Sequence, residues 1–150
     1  MKAVIQRVTE ASVKIDESIK GQITKGLLVF LGVAHTDTQE DIEWLGKKIL
    51  QLRIFGDAED KMNLSVQDIH GQVLLISQFT LHASTKKGNR PAFTEAAPPA
   101  IAIPLYEAMI QFLEHEMPHR LQTGTFGADM KVSLLNDGPV TIIIDSQNKV

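Results

Sequence analysis

The segment Val73-Leu74-Leu75-Ile76-Ser77-Gln78-Phe79-Thr80-Leu81 passes directly from four apolar residues into a polar stretch. An apolar run this short is typical of a strand that is covered on both faces. Ser77, Gln78 and Thr80 then place three hydrogen-bonding side chains where the strand gives way to a loop. On the residues alone this is a polar strand end, although a hydrolase could use exposed backbone N–H groups there as an oxyanion hole.

Two segments in the first part of the chain also predict strands. Ala11, Val13 and Ile15 alternate with polar residues, which is the period of a strand with one solvated face. Gly21 is expected to mark the turn that follows. Leu27-Leu28-Val29-Phe30-Leu31 is uninterrupted apolar sequence and predicts a second strand covered on both faces.

Two other segments have the apolar spacing of helices that pack by one face. Asp37, with Glu40 three residues later, resembles an N-terminal cap. The apolar positions that follow it are Ile42, Leu45, Ile49 and Leu52. Pro98 and Pro99 precede the second helix, which is expected to end before Pro118. Its apolar positions are Ile101, Leu105, Met109, Phe112 and Leu113.

The C-terminal part of the chain predicts two more strands. Apolar and polar residues alternate from Phe126 to Leu134, and Val140 to Ile144 is apolar throughout. Between them, Asn136-Asp137-Gly138-Pro139-Val140-Thr141 has good turn chemistry, so it predicts a hairpin turn. About seven strands and two main helices without regular βαβ alternation indicate one α/β domain, residues 1–150, with a mixed, largely antiparallel sheet.

Composition limits the classes of function. The chain has 150 residues, 43% of them apolar, and no cysteine, which excludes disulfides, thiolate nucleophiles and cysteine metal sites. No run approaches the ~20 apolar residues of a membrane span, and a cytoplasmic location is expected. The net charge of −3 argues against a protein that grips long nucleic acid. Lys86, Lys87 and Arg90 nevertheless form a basic cluster that suits one or two phosphates, or is a solvated turn.

His115-Glu116-Met117-Pro118-His119 matches the H-E-x-x-H pattern of zinc peptidases. That chemistry requires both histidines on one helical face, one turn apart. Pro118 removes a helical hydrogen bond and its ring clashes with the preceding turn, at a cost of roughly 3 kcal/mol. The helix is therefore expected to stop between the two histidines, and no metal site is predicted.

Ser77-Gln78-Phe79-Thr80-Leu81 and Asn136-Asp137-Gly138-Pro139-Val140-Thr141 together resemble the paired motifs of the D-aminoacyl-tRNA deacylases, also called the D-tyrosyl-tRNA deacylase family. The resemblance begins at Met1-Lys2-Ala3-Val4-Ile5-Gln6-Arg7-Val8 and runs nearly to the C-terminus. It implies a homodimer with the fold of that family and with composite active sites. It also implies hydrolysis of the ester bond of D-aminoacyl-tRNA at the acceptor end, without a cofactor.

The resemblance further assigns roles to residues of this sequence. The residues placed around the scissile ester are Ser77, Gln78, Phe79 and Thr80. Gly138 and Pro139 form a chiral gate that enters the partner subunit's site through a cis peptide bond, and Arg7 holds this gate in place. The expected contacts to the terminal adenosine are Phe126, Gly127 and Met130, and those to tRNA phosphates are Lys86, Lys87 and Arg90.

Two mechanisms are open for the hydrolytic step. In the first, water attacks while the backbone N–H groups of Phe79 and Thr80 stabilise the oxyanion and the terminal 2′-OH of the RNA assists. In the second, Thr80 is a covalent nucleophile, which normally requires a nearby base. A gate that collides with L-side chains would admit glycine, so glycyl-tRNA mischarged on tRNA(Ala) is an expected additional substrate.

Three other functions are compatible with the sequence. One is a non-catalytic module that binds an RNA end or a protein through the same surface. The second is the zinc hydrolase described above, and the third is a tRNA proofreader of different amino-acid specificity.

Overall fold

The computed structural model describes residues 1–150, which form eight strands, two α-helices and one short 3₁₀ helix. The strands are β1 (Lys2–Ile15), β2 (Ser18–Ile23), β3 (Gly26–Gly32), β4 (Phe55–Gly56), β5 (Met62–Leu64), β6 (Gln72–Ser77), β7 (Leu121–Thr123) and β8 (Lys131–Asp145). The helices are α1 (Gln39–Gln51) and α2 (Pro99–Glu116), and the 3₁₀ helix is Phe79–His82.

The strand β1 organises a six-stranded mixed sheet. Along one path the order is β2-β1-β3-β6-β7, and β8 also pairs with β1. The pairs that β1 forms with β2, β3 and β8 are antiparallel, whereas β3–β6 and β6–β7 are parallel. The short strands β4 and β5 form a separate antiparallel pair. The predicted α/β domain with a mixed, largely antiparallel sheet and two main helices is confirmed.

The two apolar runs, as predicted, are strands covered on both faces. Leu27 and Leu75 belong to the larger core cluster, which includes Ile42 and Leu45 of α1 and Met109 of α2. Residues of opposite parity in the same strands join residues of β1 and β2 in a second cluster on the other face of the sheet. Its members are Val8, Ala11, Val13, Ile23, Leu28, Leu74 and Ile76. Burial on both faces holds the ends of β3 and β6 at fixed positions.

The start of α1 differs from the prediction by one residue. The N-cap is Thr38, whose N–H donates to the Asp41 carboxylate at 2.8 Å. Asp37 is buried instead, where it pairs with the α-amino group of Met1 and accepts the Ala34 N–H at 2.7 Å. The predicted Asp37–Glu40 cap is therefore wrong, because a partner distant in sequence takes up the Asp37 carboxylate.

Two predicted local features are also corrected. Gly21 does not mark a turn, since it lies inside β2 opposite Val13. The turn is made by Asp16 and Glu17, which have φ values of 49° and 66°. The predicted strand from Phe126 begins only at Lys131, because the preceding residues form turns.

The predicted hairpin at residues 136–141 is wrong, because β8 runs through this segment and pairs with β1 on both sides of it. Gln6 pairs with Thr141 and Val8 pairs with Asn136. Residues 137–140 of β8 therefore stand opposite Arg7 alone, which makes this segment a bulge within one long strand. The turn chemistry of the sequence serves the bulge instead of a chain reversal.

The C-terminal end of α2 agrees with the prediction. The helix ends at Glu116, with Met117 as the C-cap residue, and His119 has a φ of 64°. His115 and His119 therefore do not share one helical face, which removes the geometry that the H-E-x-x-H pattern requires. Neither helix combines the length and the apolar character that a membrane crossing would require.

Gly46 allows close packing of α1 on α2, and its replacement tests this contact. An added Cβ would lie 2.6 Å from Cδ1 and Cε1 of Phe112. Gly46→Ala gains about 1 kcal/mol in helix propensity, but overpacking typically costs about 1–3 kcal/mol. We expect a lower urea midpoint for Gly46→Ala, and partial recovery when Phe112→Leu is added. A midpoint that rises in the single variant would contradict the close approach.

Candidate active site

The chain turns sharply where β6 ends. Ser77 is the last residue of β6, and the Gln78 N–H still donates to the Leu31 carbonyl at 2.8 Å. The 3₁₀ helix Phe79–His82 follows at once, with Gln78 as its N-cap residue and no side chain capping it. The N–H groups of Phe79 and Thr80 therefore lie in the first turn, where the helix supplies no acceptor.

The side chains of this turn are polar on one side and aromatic on the other. Gln78 Nε2 donates to Thr80 Oγ1, so the two side chains fix one another. Phe79 is 54% exposed, and its ring meets the edge of Phe93 at a centroid distance of 5.0 Å. An exposed aromatic ring thus stands directly beside backbone N–H groups that have no partner within the helix.

A cleft of about 250 Å³ opens beside this strand end. Its walls are Ile76, Ser77, Gln78, Phe79, Phe126, Gly127, Ala128, Asp129, Met130 and Val132. The structure therefore brings three of the predicted ester-binding residues together with all three predicted adenosine-binding residues. Thr80 does not line the cleft, but its hydroxyl accepts a hydrogen bond from the side chain of Gln78, which does line it.

Tyr106 of α2 supports the cleft from below. Its hydroxyl donates to the Leu75 carbonyl at 3.1 Å, and the Gly124 N–H donates to the same oxygen at 3.2 Å. The ring packs against Phe126 at a centroid distance of 5.9 Å. Burial raises the pKa of Tyr106 to about 12. A single buried side chain therefore joins α2, β6 and the aromatic wall of the cleft.

The Gly138-Pro139 segment is held from behind by Arg7. The peptide bond between Gly138 and Pro139 is cis, as the family resemblance implied. Arg7 Nε donates to the Asp137 carbonyl at 2.9 Å, and its Nη1 donates to the Ile54 carbonyl at 2.7 Å. Arg7 is only 15% exposed, so both bonds are sheltered from solvent. Gly138 and Pro139 themselves are exposed.

Within one chain the bulge lies far from the cleft. Ser77 pairs with Leu31, and Leu31 pairs with Ala3. Arg7, opposite the bulge at residues 137–140, is four residues farther along β1. Four residues of strand cover about 13 Å, and Val132, the residue of β8 that lines the cleft, is six residues, or about 20 Å of strand, from Gly138. The two motifs do not form one site within a single chain.

The predicted phosphate contacts lie on a loop beyond the cleft. Lys86, Lys87 and Arg90 are all exposed, and none of them forms an ion pair. The loop closes through a bridge between Ser84 and Ala92, beside the Phe93 ring that contacts Phe79. The basic loop is therefore tethered to the aromatic side of the cleft.

The site contains no catalytic triad. His82 is buried, its Nε2 has no hydrogen-bond partner, and its ring packs near Gly32. No group of three His, Asp or Glu side chains is placed to hold a metal ion. The chemistry available at the cleft is that of backbone N–H groups, amide and hydroxyl side chains, aromatic rings and one exposed carboxylate, that of Asp129.

The family described as D-Tyr-tRNA(Tyr) deacylase matches residues 4–145 of this chain. The chain belongs to this family. D-aminoacyl-tRNA deacylases of Flavobacterium psychrophilum and Parabacteroides distasonis are each 60% identical to it over 149 residues, which is 99% of each chain. The D-aminoacyl-tRNA deacylase of Bacteroides fragilis is 56% identical over the same length.

Solved structures agree with this membership. A protein described as "c-Myc DNA Unwinding Element Binding Protein" superposes with a TM-score of 0.93 at 42% identity, covering 97% of this chain and 99% of that one. A second structure, described as "Structural Analysis of a probable eukaryotic D-amino acid tRNA deacylase", gives a TM-score of 0.80 at 16% identity, covering 95% and 97%. This second likeness shows the deacylase-family fold alone.

Several residues that shape the site of this family member escaped the sequence analysis. Tyr106 lies in an amphipathic helix, where it looks like any other core aromatic. Ile54 contributes only its carbonyl oxygen to Arg7, and a backbone group leaves no trace in sequence. Gly124 leaves room for Met130, whose Sδ would lie only 2.4 Å from a Cβ at that position. The glycine itself was the one available signal.

Tyr106 is the only tyrosine in the chain, so its ionisation can be followed directly. Its raised pKa means that the neutral phenol is favoured in the folded protein. We expect the tyrosinate absorbance of the folded protein to appear only near pH 12, well above the ordinary value of 10.0. The stabilisation of the folded state that comes from burying the neutral phenol is present below pH 10 and is lost as the pH rises towards 12.

The matched control is Tyr106→Phe, which must give no tyrosinate signal at any pH. It should also lower the free energy of unfolding by about 1 kcal/mol, because one hydrogen bond is lost while Leu75 keeps its bond from Gly124. Titration of the folded protein near pH 10 would contradict the buried position of the hydroxyl.

Proposed function

We propose that this chain hydrolyses the ester that joins a D-amino acid to the 3′ end of tRNA, releasing the free D-amino acid and the tRNA. The observation that carries the proposal is the cleft at the end of β6. There the first-turn N–H groups of Phe79 and Thr80 adjoin an aromatic and apolar wall that contains Phe126 and Met130. Relatives 60% identical over nearly the whole chain bear the name of this activity.

The wall and the turn suit the two halves of such a substrate. An adenine base stacks well on an aromatic ring, and Phe126 presents one that Tyr106 fixes from behind. The scissile carbonyl then lies towards Ser77, Gln78 and Phe79. Negative charge that develops on its oxygen during attack is stabilised by the N–H groups of Phe79 and Thr80, which are already held in place by the 3₁₀ helix.

Water is the nucleophile in this proposal. A hydroxyl nucleophile needs a base within hydrogen-bond reach. Thr80 Oγ1 instead accepts a hydrogen bond from the Gln78 amide, which has no basic atom to offer in return. The only carboxylate lining the cleft is Asp129, which is 84% exposed and paired with Lys131. The substrate's own 2′-OH is then the group that assists the attacking water.

The gate acts across a twofold dimer in this proposal. Gly138 and Pro139 are exposed and too far from the cleft of their own chain, so a second copy is needed to bring them to a cleft. Leu135, beside the gate, is 56% exposed, and Phe79, beside the cleft, is 54% exposed. Apolar side chains exposed at both places are suited to burial between two copies.

Chirality is sorted by shape. Inversion at Cα exchanges the side chain and the hydrogen, so a rigid backbone wall that faces Cα admits one hand and collides with the other. Glycine has no side chain to collide, so glycyl-tRNA(Ala) is a substrate as well.

The basic loop at Lys86, Lys87 and Arg90 receives phosphates of the tRNA acceptor end. The enzyme works in the cytoplasm, where aminoacyl-tRNA is found.

The activity and its oxyanion hole can be tested with one pair of variants. Phe79→Pro removes a single N–H group, and Gln78 has a φ of −147°, which is outside the helical range that a following proline disfavours. The purified wild-type chain should deacylate D-Tyr-tRNA and spare L-Tyr-tRNA. Phe79→Pro should lower kcat for D-Tyr-tRNA by about 10²–10³-fold.

Phe79→Ala is the matched control, because it removes the ring and keeps the N–H group. Its kcat should fall far less than that of Phe79→Pro. Thr80→Ala should retain substantial activity, whereas D-Tyr-tRNA that lacks the terminal 2′-OH should react poorly. Loss of turnover in a folded Thr80→Ala variant would instead favour Thr80 as the nucleophile. Binding of tRNA without any deacylation by the wild-type chain would support a non-catalytic module.

The cross-subunit gate can be tested by mixing two variants. Arg7→Lys loses the guanidinium fork that links the Asp137 carbonyl in the bulge to the Ile54 carbonyl, so we expect the preference for D- over L-Tyr-tRNA to fall about tenfold. An excess of Phe79→Pro chains is then exchanged into these dimers. In each mixed dimer the Arg7→Lys chain contributes an intact cleft, and the Phe79→Pro chain contributes an intact gate to it. Cleavage of L-Tyr-tRNA should then decrease while cleavage of D-Tyr-tRNA persists.

Arg53→Lys is the control for the charge-conserving change, since Arg53 bonds only to Asn63. Its selectivity should equal that of the wild type. If mixing leaves L-Tyr-tRNA cleavage unchanged, each gate serves its own chain and the composite site is wrong.

A further inference from the structure

Gly32 ends β3 directly beneath the turn that carries the N–H group of Phe79. A Cβ at Gly32 would lie 2.9 Å from the Gln78 carbonyl oxygen, 3.1 Å from Leu81 Cβ and 3.1 Å from His82 Cδ2. A contact below 3.0 Å to a backbone atom cannot be absorbed by rotating a side chain. Gly32 has no positive φ, so glycine is required here for space and not for backbone conformation.

The nearest of these atoms belongs to a peptide unit of the site. The Gln78 carbonyl and the Phe79 N–H are parts of one planar peptide, and they point in opposite directions. The Cα of Gln78, at one end of this peptide, is anchored to β3, because the Gln78 N–H in the preceding peptide donates to the Leu31 carbonyl at 2.8 Å. A group that pushed on the Gln78 oxygen would therefore tilt the Phe79 N–H in the opposite sense.

We propose that Gly32 is a positioning residue for ester hydrolysis, because its missing side chain lets the Gln78–Phe79 peptide lie against β3 and so sets the direction of the Phe79 N–H. The inference rests on the proposed function, in which that N–H stabilises the oxyanion. Gly32 touches neither substrate nor the reacting atoms. It acts through the Gln78 oxygen, which is its nearest contact in the turn.

Gly26 shows that a tight glycine need not have this role. At the opposite end of the same strand, a Cβ at Gly26 would lie 1.8 Å from the Gln72 carbonyl oxygen. That contact is closer still, but Gln72 begins β6 and lies away from the cleft. Only the contact at Gly32 is transmitted to a peptide of the proposed oxyanion hole.

Saturation kinetics on D-Tyr-tRNA test the proposal. Gly32→Ala should lower kcat by about 10- to 100-fold, since a small misplacement of a transition-state donor is costly. KM should change by less than about twofold, because the cleft residues Phe126 and Met130, which are proposed to bind the adenosine, are not among the contacts of an added Cβ at Gly32. A folded Gly32→Ala variant with unchanged kcat, or with a raised KM alone, would overturn the proposal.

Gly56→Ala is the matched control. Gly56 is exposed and has no positive φ, and its added Cβ would first meet Asp60 Oδ1, at 3.0 Å on a free side chain. Its kcat and KM should equal those of the wild type. A fall in kcat as large as that of Gly32→Ala would show that any glycine replacement disturbs the enzyme, and would also overturn the proposal.

Amide NMR separates this inference from the proposed function. The ¹H–¹⁵N resonances of Phe79 and Thr80 should shift in Gly32→Ala, and those of residues lining only the Phe126 wall should not. If wild-type protein fails to deacylate D-Tyr-tRNA, the function is wrong, while unshifted amides would show that Gly32 does not set this peptide. Shifted amides with unchanged kcat would leave Gly32 without a part in catalysis.

If Gly32→Ala does not fold, a second variant still tests the proposal. His82→Ala removes one of the three contacts of the added methyl and leaves the contact to the Gln78 oxygen. The Gly32→Ala/His82→Ala protein should then show the same loss of kcat relative to His82→Ala alone. Recovery of kcat in the double variant, or its failure to fold, would mean that Gly32 serves packing and not the site.

Discussion

The antiparallel pairing of β1 with three other strands is the constraint on which the rest of the structure depends. Lys2–Ile15 bonds to β2 and β3 on successive parts of its length and to β8 along nearly all of it. Its register therefore fixes both the level at which β6 ends and the level at which β8 bulges. Because those two levels are four residues apart along β1, the fold itself separates the cleft at the end of β6 from the bulge at residues 137–140 within one chain.

The sequence predicted those parts of the structure that local patterns determine. The apolar runs Leu27–Leu31 and Val73–Ile76 are buried strands, and Pro118 lies just beyond the end of α2, because burial on both faces and a missing N–H act within a few residues. The predicted cap of α1 was wrong by one residue, because Asp37 pairs with the Met1 amino group, 36 residues away in sequence. The 136–141 segment was predicted as a hairpin because turn chemistry fits a bulge equally well.

The candidate site was predicted unevenly for a similar reason. The resemblance placed Ser77, Gln78, Phe126 and Met130 in one region, and the structure brings them to one cleft. It could not indicate Tyr106, whose hydroxyl donates to the Leu75 backbone carbonyl. Nor could it indicate Gly32, where a side chain would collide with the Gln78 carbonyl oxygen. Interactions with the main chain leave little pattern in the side chains. They become visible only when the backbone is laid out in three dimensions.

The 3₁₀ turn after β6 also affects how such an enzyme can be damaged by mutation. Every residue except proline carries the same N–H group, so most single exchanges at Phe79 or Thr80 keep the proposed donors. Genetic loss of activity should therefore concentrate at positions that steer the main chain, and saturation mutagenesis would find its intolerant sites among small residues beneath the turn. An enzyme built this way tolerates sequence drift at its reactive centre better than one that depends on a particular acid or base.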